Sequence, residues 1–215
     1  MTRRLIIAAA VAMAFAAATA YAAVARQSGG HPCAGSINHC VVIPPDRYPH
    51  VCHPNGVALH AVGGAVLSGT PRRDLLEGGA GSNYLVGFEQ SDCLFGWRGG
   101  DRIDGRGGND WVRGGDGDDV LNGGAGDDRL QGDRGTDQIL GRGGRDSIRG
   151  GRGSDRYKRA SGHRGRFVAA INAGSGRDLV VDTRGRNDIN CGKGTDKVVT
   201  NTKSRVENCE HVTRR

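Results

Sequence analysis

The chain has 215 residues, of which 38 are glycine, 36% are apolar and only 5% are aromatic, which leaves little material for a thick hydrophobic core. The formal charge of +7 would suit an anionic partner, but lysine and arginine are spread along the chain, so a solvated mixed-charge surface is preferred and no specific nucleic-acid binding is expected. A glycine excess of this size indicates collagen, a flexible linker or a repeat with glycine at fixed places, and the period decides among them.

Residues 1–25 have the features of a signal peptide. Two arginines precede an apolar run at 5–18, and two A-x-A cleavage sites follow, at 20–22 and 23–25. The apolar run is short for a membrane anchor, and no basic stop-transfer cluster follows it. We therefore expect cleavage and export, with no membrane span in the mature chain. Retention at the cell wall is left open.

Residues 26–68 form a predicted N-terminal arm or cap that contains cysteine and histidine. An even number of cysteines in an exported chain favours three disulfides. The spacing of the first three cysteines matches no common zinc template, so disulfides are preferred over a zinc site. The pairing stays open, with Cys33–Cys40 and Cys52–Cys93 as the preferred arrangement. The six cysteines are Cys33, Cys40, Cys52, Cys93, Cys191 and Cys209.

A nine-residue register runs through residues 69–158. Glycine recurs every nine residues from Gly69 to Gly150, which defines ten consecutive units without an insertion. Position 6 is aspartate in nine of the ten units, position 4 is glycine in eight, and position 8 is apolar from Leu76 to the final Tyr157. Collagen requires a period of three, and a flexible linker requires no apolar residue at a fixed phase, so both are excluded.

The units read G-G-x-G-x-D-x-U-x, where U is apolar, and the clearest copies are residues 114–122 and 123–131. This pattern resembles the hemolysin-type calcium-binding repeats of the repeats-in-toxin family. The resemblance implies that aspartates and turn carbonyls of stacked coils bind Ca²⁺. Such repeats are usually acidic, whereas residues 69–158 carry 16 acidic against 14 basic side chains.

The same pattern predicts an all-β fold, a parallel β-roll, that is, a right-handed parallel β-helix solenoid of nine-residue repeats with disulfide-stapled caps. The x-U-x positions form a short strand, and the first six positions form a turn in which glycine permits positive φ. Two units make one coil of eighteen residues, and coils stack about 4.8 Å apart with the U side chains inside. Position 6 of one unit therefore lies above position 6 two units later.

Stacked carboxylates repel one another unless a cation lies between them, and oxygen ligands of this kind suit Ca²⁺. Pairs of aspartates eighteen residues apart predict about six calcium sites. Asp74 is a weaker candidate, because arginines and Gln90 replace its turn residues, and Asn83 lacks the charge. The predicted ligands are Asp92, Asp101, Asp110, Asp119, Asp128, Asp137, Asp146 and Asp155.

Residues 159–215 are predicted to contain degenerate repeats and a C-terminal cap. A basic loop at 159–170 interrupts the register, and residues 173–181 and 191–199 then keep positions 4, 6 and 8. The ending resembles the closing segment of secreted actinobacterial proteins with such repeats, which implies a Cys191–Cys209 disulfide that clamps the last coil. Cys93 at position 7 should point outward and is placed to tie the N-terminal arm to the roll.

These features predict a secreted, non-catalytic calcium-binding protein that folds when it meets extracellular Ca²⁺. The repeat buries few apolar residues for its length, so metal binding and folding should be coupled. Two alternatives stay open: a cell-surface adhesin or polyanion-binding protein that uses its arginines, and an accessory module of a secreted hydrolase. The chain has no G-x-S-x-G and no H-E-x-x-H motif. The sequence does not predict an oligomeric state.

Overall fold

The computed structural model describes residues 55–61, 63–158, 170–182 and 187–215, together with two short strands near the N-terminus. All regular structure in these residues is β-strand. No helix in this part of the chain is long and apolar enough to cross a membrane. The predicted signal peptide, Cys52 and the side chains of Cys33 and Cys40 lie outside the described residues.

Apart from two successive strands near the N-terminus that share a sheet, strands alternate along the chain between two sheets, each of which has ten described strands. In spatial order, the first sheet contains β1 (Cys33–Ala34), β4 (Val66–Ser68), β6 (Tyr84–Phe88), β8 (Arg102–Gly107), β10 (Val120–Ala125), β12 (Gln138–Gly143), β14 (Arg156–Lys158), β16 (Leu179–Asp182), β18 (Lys197–Thr200) and β20 (His211–Arg214). The second contains β2 (Cys40–Val42), β3 (Ala58–Ala61), β5 (Leu75–Glu77), β7 (Cys93–Arg98), β9 (Trp111–Asp116), β11 (Arg129–Arg134), β13 (Ser147–Arg152), β15 (Ala170–Gly176), β17 (Asp188–Gly194) and β19 (Arg205–Glu207).

The strand register confirms the predicted parallel β-roll. Leu121 pairs with Ile103 on one side and with Ile139 on the other, eighteen residues away in each direction. From β3 onward every described strand pair is parallel, and only β1 with β4 and β2 with β3 are antiparallel. One strand of each sheet therefore makes one coil of two nine-residue units.

The core is a single narrow column of position-8 side chains. Alternation along each strand points these residues inward, where coil stacking removes them from water. Their neighbours at positions 7 and 9 lie on the outer faces of the sheets. The column in the central coils consists of Leu76, Leu85, Leu94, Ile103, Val112, Leu121, Leu130, Ile139, Ile148 and Tyr157.

The central strands are longer than the predicted three residues. β8, for example, covers positions 7 to 9 of one unit and positions 1 to 3 of the next. The residue at position 2 has a positive φ, 72° at Arg106 and 109° at Gly124, yet these two residues still pair with each other across adjacent coils. This residue, in the left-handed region of backbone conformation, bends the chain round the edge of the roll without interrupting the strand pairing. Only positions 4 to 6 therefore remain as turn.

The sheets extend beyond residues 69–158 at both ends. Before the first unit, Leu59 pairs with Leu76 in parallel. After the last unit, Ile148 pairs with Ile171, a step of twenty-three residues instead of eighteen. The interruption that the sequence places at 159–170 therefore adds five residues to one coil, and the roll continues beyond it.

A disulfide joins Cys191 to Cys209, with the Cα atoms 5.2 Å apart, which confirms the predicted clamp. Cys191 is fully buried and belongs to the core column. Cys93 is also disulfide-bonded, and it lies outside the core column in a small outer cluster with Leu75 and Phe95. The pairing of Cys93 with Cys52 stays a prediction, because Cys52 is outside the described residues.

Removal of the clamp should loosen the C-terminal end of the roll. We expect Cys209→Ser to destabilise the last coils by about 3 kcal/mol, because the unfolded chain loses a closed loop. Hydrogen exchange in calcium should accelerate at 187–215 and stay unchanged at 111–143, which lies several coils away. Equal protection of the C-terminal amides in both proteins would show that the clamp is dispensable.

Candidate metal centre

Position-6 side chains form one ladder along each edge of the roll. Each residue is buried, and the backbone N–H of every residue before the last in its ladder donates to the carboxylate Oδ1 of the residue one coil further on. The distances are 2.7 Å from Asp101 N to Asp119 Oδ1 and 2.9 Å from Asp119 N to Asp137 Oδ1. The first ladder contains Asn83, Asp101, Asp119, Asp137 and Asp155. The second contains Asp74, Asp92, Asp110, Asp128 and Asp146.

The ladders confirm which aspartates meet, since every contact joins residues eighteen positions apart. They also give position 6 a role that the sequence did not predict. A carboxylate oxygen satisfies a buried backbone N–H in each turn, and an unsatisfied N–H there would be costly. This hydrogen bond uses one oxygen of each aspartate, Oδ1, and does not involve the second oxygen, Oδ2.

The second oxygen, Oδ2, is buried and accepts no hydrogen bond in most of these aspartates. A buried carboxylate oxygen without a donor is unfavourable unless a proton or a cation lies against it. The two ladders therefore hold rows of acceptor atoms that require a positive partner. The residues concerned include Asp92, Asp101, Asp110, Asp119, Asp128 and Asp137, and in the C-terminal coils Asp178 and Asp196.

Glycine at position 1 leaves space beside this oxygen. A Cβ built on Gly96 would overlap Asp101 Oδ2 and lie 2.7 Å from the carbonyl oxygen of Gly114, one coil further on. A Cβ on Gly105 would meet Asp110 Oδ2 and the carbonyl oxygen of Gly123 in the same way. A carboxylate oxygen and a carbonyl oxygen from adjacent coils thus converge on one place, which is why a side chain is excluded there.

Burial raises the pKa of several ladder aspartates above the ordinary value of 3.8. The pKa reaches about 8 for Asp92, Asp119 and Asp128, where burial is the main cause and the charges of neighbouring aspartates add to it. Burial also raises the pKa of Asp101 and Asp110 to about 6. Without a cation, the folded roll favours protonated aspartates near neutral pH.

Asp74 and Asp155 differ from the other predicted ligands, because protein donors occupy their second oxygens. The backbone N–H of Thr70 donates to Asp74 Oδ2 at 2.6 Å, and that of Val57 donates to Asp74 Oδ1 at 2.5 Å. The Tyr157 hydroxyl lies 3.2 Å from Asp155 Oδ2 and 3.0 Å from the carbonyl oxygen of Ala173, so these two acceptors compete for its single proton. Asp74 therefore closes the N-terminal end of its ladder, and the Tyr157 hydroxyl lies where a cation would approach Asp155.

The first ladder continues into the C-terminal coils, whose aspartates are not among the ligands predicted from the sequence. Asp155 N donates to Asp178 Oδ1 at 2.8 Å, and Asp178 N donates to Asp196 Oδ1 at 2.9 Å. Asp196 N then donates to Glu210 at 2.7 Å. The signal was present in the sequence, since Asp178 and Asp196 lie eighteen residues apart at position 6 of degenerate units.

Several arginines pair with acidic side chains outside the ladders. Arg145 contacts Asp127 at 3.1 Å, and Arg134 contacts Asp116 at 3.6 Å, each across one coil step. These side chains lie on the outer surface, where such pairs contribute little to stability. The nearly neutral charge of the repeats therefore reflects pairing on the surface and leaves the buried ladders acidic.

The ladders fit a hard cation that takes backbone as well as side-chain ligands. Within the described residues, no group of three or more His, Cys, Asp or Glu side chains is arranged to hold a metal. Adjacent coils instead offer two carboxylates and the glycine carbonyls between them. Ca²⁺ accepts six to eight oxygen ligands of this mixed kind, in flexible geometry.

Comparison with known proteins agrees with this geometry. A family model of the RTX calcium-binding nonapeptide repeat, four copies long, matches residues 68–103, 98–130 and 122–157. The matched region is where the nine-residue register, the parallel coils and the two ladders coincide. No curated protein and no solved structure shows a significant match to the chain. Residues 68–157 therefore belong to the family of RTX calcium-binding nonapeptide repeats.

Proposed function

We propose that the chain is an exported, non-catalytic calcium-binding protein whose roll folds when Ca²⁺ enters the aspartate ladders. The observation that carries this proposal is the row of buried Oδ2 atoms that no protein group satisfies. A bound cation would remove that cost and would also offset the repulsion between successive carboxylates. Extracellular fluid supplies Ca²⁺ at the concentrations that modules of this class require.

The central aspartates are the proposed ligands with the largest effect. Asp119 lies between Asp101 and Asp137 in the first ladder, so it can contribute to an ion on each side. Asp110 holds the same place in the second ladder, between Asp92 and Asp128. The repeats would hold about six ions, with carbonyl oxygens of the glycine-rich turns completing each shell.

The C-terminal coils provide a further candidate pair. Asp178 and Asp196 have buried Oδ2 atoms without donors, as the central aspartates do. Asp155, which the sequence pairs with Asp137, is a weaker ligand because the Tyr157 hydroxyl lies against its second oxygen. The proposed set therefore keeps Asp146 by its register, treats Asp74 and Asp155 as weaker ligands, and adds Asp178 and Asp196.

Substitution of Asp119 by asparagine distinguishes two roles of this residue, as a metal ligand and as a hydrogen-bond acceptor in the turn. The amide oxygen can still accept the Asp101 N–H, but the charge that attracts calcium is lost. We expect the calcium midpoint of folding to rise at least about tenfold, and the calcium-free roll to become more stable, because one buried charge is removed from the ladder. Calorimetric calcium titration and circular dichroism in chelator measure the two effects, which have opposite signs.

Asp74→Asn is the matched control, because backbone N–H groups already satisfy Asp74. Its amide nitrogen would face one of these two donors, which costs some stability, so the calcium midpoint should rise, but by less than in Asp119→Asn. The chain itself contains asparagine at position 6, where Asn83 donates to the carbonyl oxygen of Gly81 at 2.6 Å. Equal midpoints for Asp119→Asn and Asp74→Asn would reject the proposed ligand role of Asp119.

A further inference from the structure

A groove of about 690 Å³ lies on the outer face of the second sheet, away from both ladders. It crosses four successive coils, from β7 to β13, which corresponds to about 14 Å along the roll. Aromatic rings line one end, and arginines and aspartates line the remainder. The calcium-binding proposal uses none of these side chains.

Trp97 is the most exposed large apolar side chain of the described residues, with 47% of its surface accessible. It occupies position 2 with a φ of 76°, whereas Gly79 and Gly115 hold this position in the coils before and after it. The positive φ belongs to position 2 and not to Trp97 alone, since Phe88 and Arg106 also adopt it there, so exposure distinguishes Trp97. The adjacent Gly115 has no side chain that could cover the indole.

The other two rings support Trp97 and are largely covered. Phe95 packs edge-on against Trp111 with the ring centroids 5.5 Å apart, and its centroid lies 6.4 Å from that of Trp97. Phe95 is only 9% exposed, and Trp111 is half-buried. The groove therefore presents one flat aromatic surface to a ligand instead of a row of stacking platforms.

The remaining lining is charged, with an excess of arginine. Arg113 pairs with Asp133, and Arg134 contacts Asp116 at 3.6 Å. Arg98 and Arg152 form no ion pair within the described part of the chain and line opposite ends of the groove. These two guanidinium groups are available for an anionic ligand, and their planar forks suit carboxylates.

We infer that this groove binds an acidic polysaccharide. The aliphatic face of a sugar ring would pack on Trp97, carboxylates would pair with Arg98 and Arg152, and hydroxyls would donate to the groove aspartates. Single-stranded nucleic acid fits less well, because it stacks successive bases on several aromatic rings along a uniformly basic channel. The inference requires the folded roll but not a particular set of calcium ligands.

Indole fluorescence tests the inference, because only two tryptophans are present and Trp97 is exposed. The probe is a hyaluronan oligosaccharide, which alternates a uronic acid with a neutral sugar, added to the full mature chain in millimolar Ca²⁺. Circular dichroism first verifies that the roll is folded, so failure of calcium-dependent folding is distinguishable from failure of binding. We expect saturable binding with a shift in emission, and no response to neutral dextran.

Trp97→Gly is the decisive variant, because glycine readily adopts the positive φ of this position, so the roll should still fold. It should weaken binding at least about tenfold, measured by calorimetry, and Arg98→Gln should weaken it as well. Arg106→Gly is the matched control, since Arg106 also occupies position 2 with positive φ but lies on the first sheet. It should bind like the unaltered chain.

Three results would overturn the inference. One is the absence of any fluorescence or calorimetric response in folded protein. If acrylamide also fails to quench the fluorescence of Trp97, another segment of the chain covers the groove. Another is tighter binding of oligo(dT) than of hyaluronan, which would make nucleic acid the ligand. The last is weaker binding in Arg106→Gly together with unaltered binding in Trp97→Gly, which would indicate attraction to net charge alone.

Discussion

Calcium removal should unfold the central coils, and calcium addition should restore them cooperatively. The core contributes one apolar side chain for every nine residues, and the glycine-rich turns lose much conformational freedom on folding. The ladders add a second cost at neutral pH, because ionised aspartates would be buried beside carbonyl oxygens. Bound Ca²⁺ reverses that cost, so it should control whether the roll forms.

The transition should be cooperative, since each central aspartate contacts both neighbouring coils and the coils share sheet hydrogen bonds. We expect a midpoint near ~10⁻⁴–10⁻³ M Ca²⁺, the range of extracellular modules. Mg²⁺ should not substitute, because it requires a smaller octahedral shell and releases water reluctantly. A chain kept in a compartment with little calcium would then remain unfolded until export.

Far-ultraviolet circular dichroism during a calcium titration measures this transition, with the disulfides intact and a chelator reversal as the control. Terbium or magnesium series would show whether ion size matters. A spectrum that is already rich in β structure in chelator at neutral pH, and unchanged by millimolar Ca²⁺, would contradict the coupling. The core column and the Cys191–Cys209 clamp would then be sufficient to hold the roll.

The periodic part of the fold was predictable because one nine-residue signal repeats ten times. The position-8 residues were placed inside correctly, and the eighteen-residue pairing of Asp101 with Asp119 is what the ladder shows. The family match at 68–157 confirms the resemblance on which the calcium prediction rested. Each of these features follows from spacing alone, so local irregularities do not affect it.

Features that depend on single residues could not be predicted. The sequence gives no sign that Arg106 adopts a positive φ and extends its strand past the expected turn. The sequence predicts Tyr157 only as an apolar residue of the core, whereas in the structure its hydroxyl contacts Asp155. The groove around Trp97 could not be predicted either, because Trp97 departs from the glycine of position 2, and positions 7 and 9 carry no repeating residue type.

Protons should partly substitute for calcium in stabilising the folded roll. In chelator, lowering the pH from about 8 to about 5 should increase the β content of the roll, because protons neutralise the buried carboxylates. The pKa of Asp92, Asp119 and Asp128 is raised to about 8 by burial, and that of Asp137 and Asp178 to about 7. In the unfolded chain these groups return to the ordinary value of 3.8.

The sign follows from proton linkage. The folded, calcium-free roll holds protons that the unfolded chain releases, so stability increases as the pH falls. This contribution is complete below the unfolded pKa of 3.8 and is lost as the pH rises through the folded values of about 6 to about 8. Calcium binding should show the opposite dependence, since protons compete with Ca²⁺ for the same oxygens.

The two dependences distinguish a calcium site from a structural hydrogen-bond ladder. Circular dichroism in chelator should gain β structure on acidification, while the calcium midpoint measured by calorimetry should move to higher concentration. Asp119→Asn should reduce both responses, because it removes a group whose pKa is about 8 in the folded roll. Asp74→Asn should reduce them less, since the burial that raises the pKa of Asp74 is partly offset by the backbone N–H groups that donate to it. A calcium-free spectrum that is constant between about pH 8 and about pH 5 would mean that the ladder aspartates are not buried in the metal-free chain.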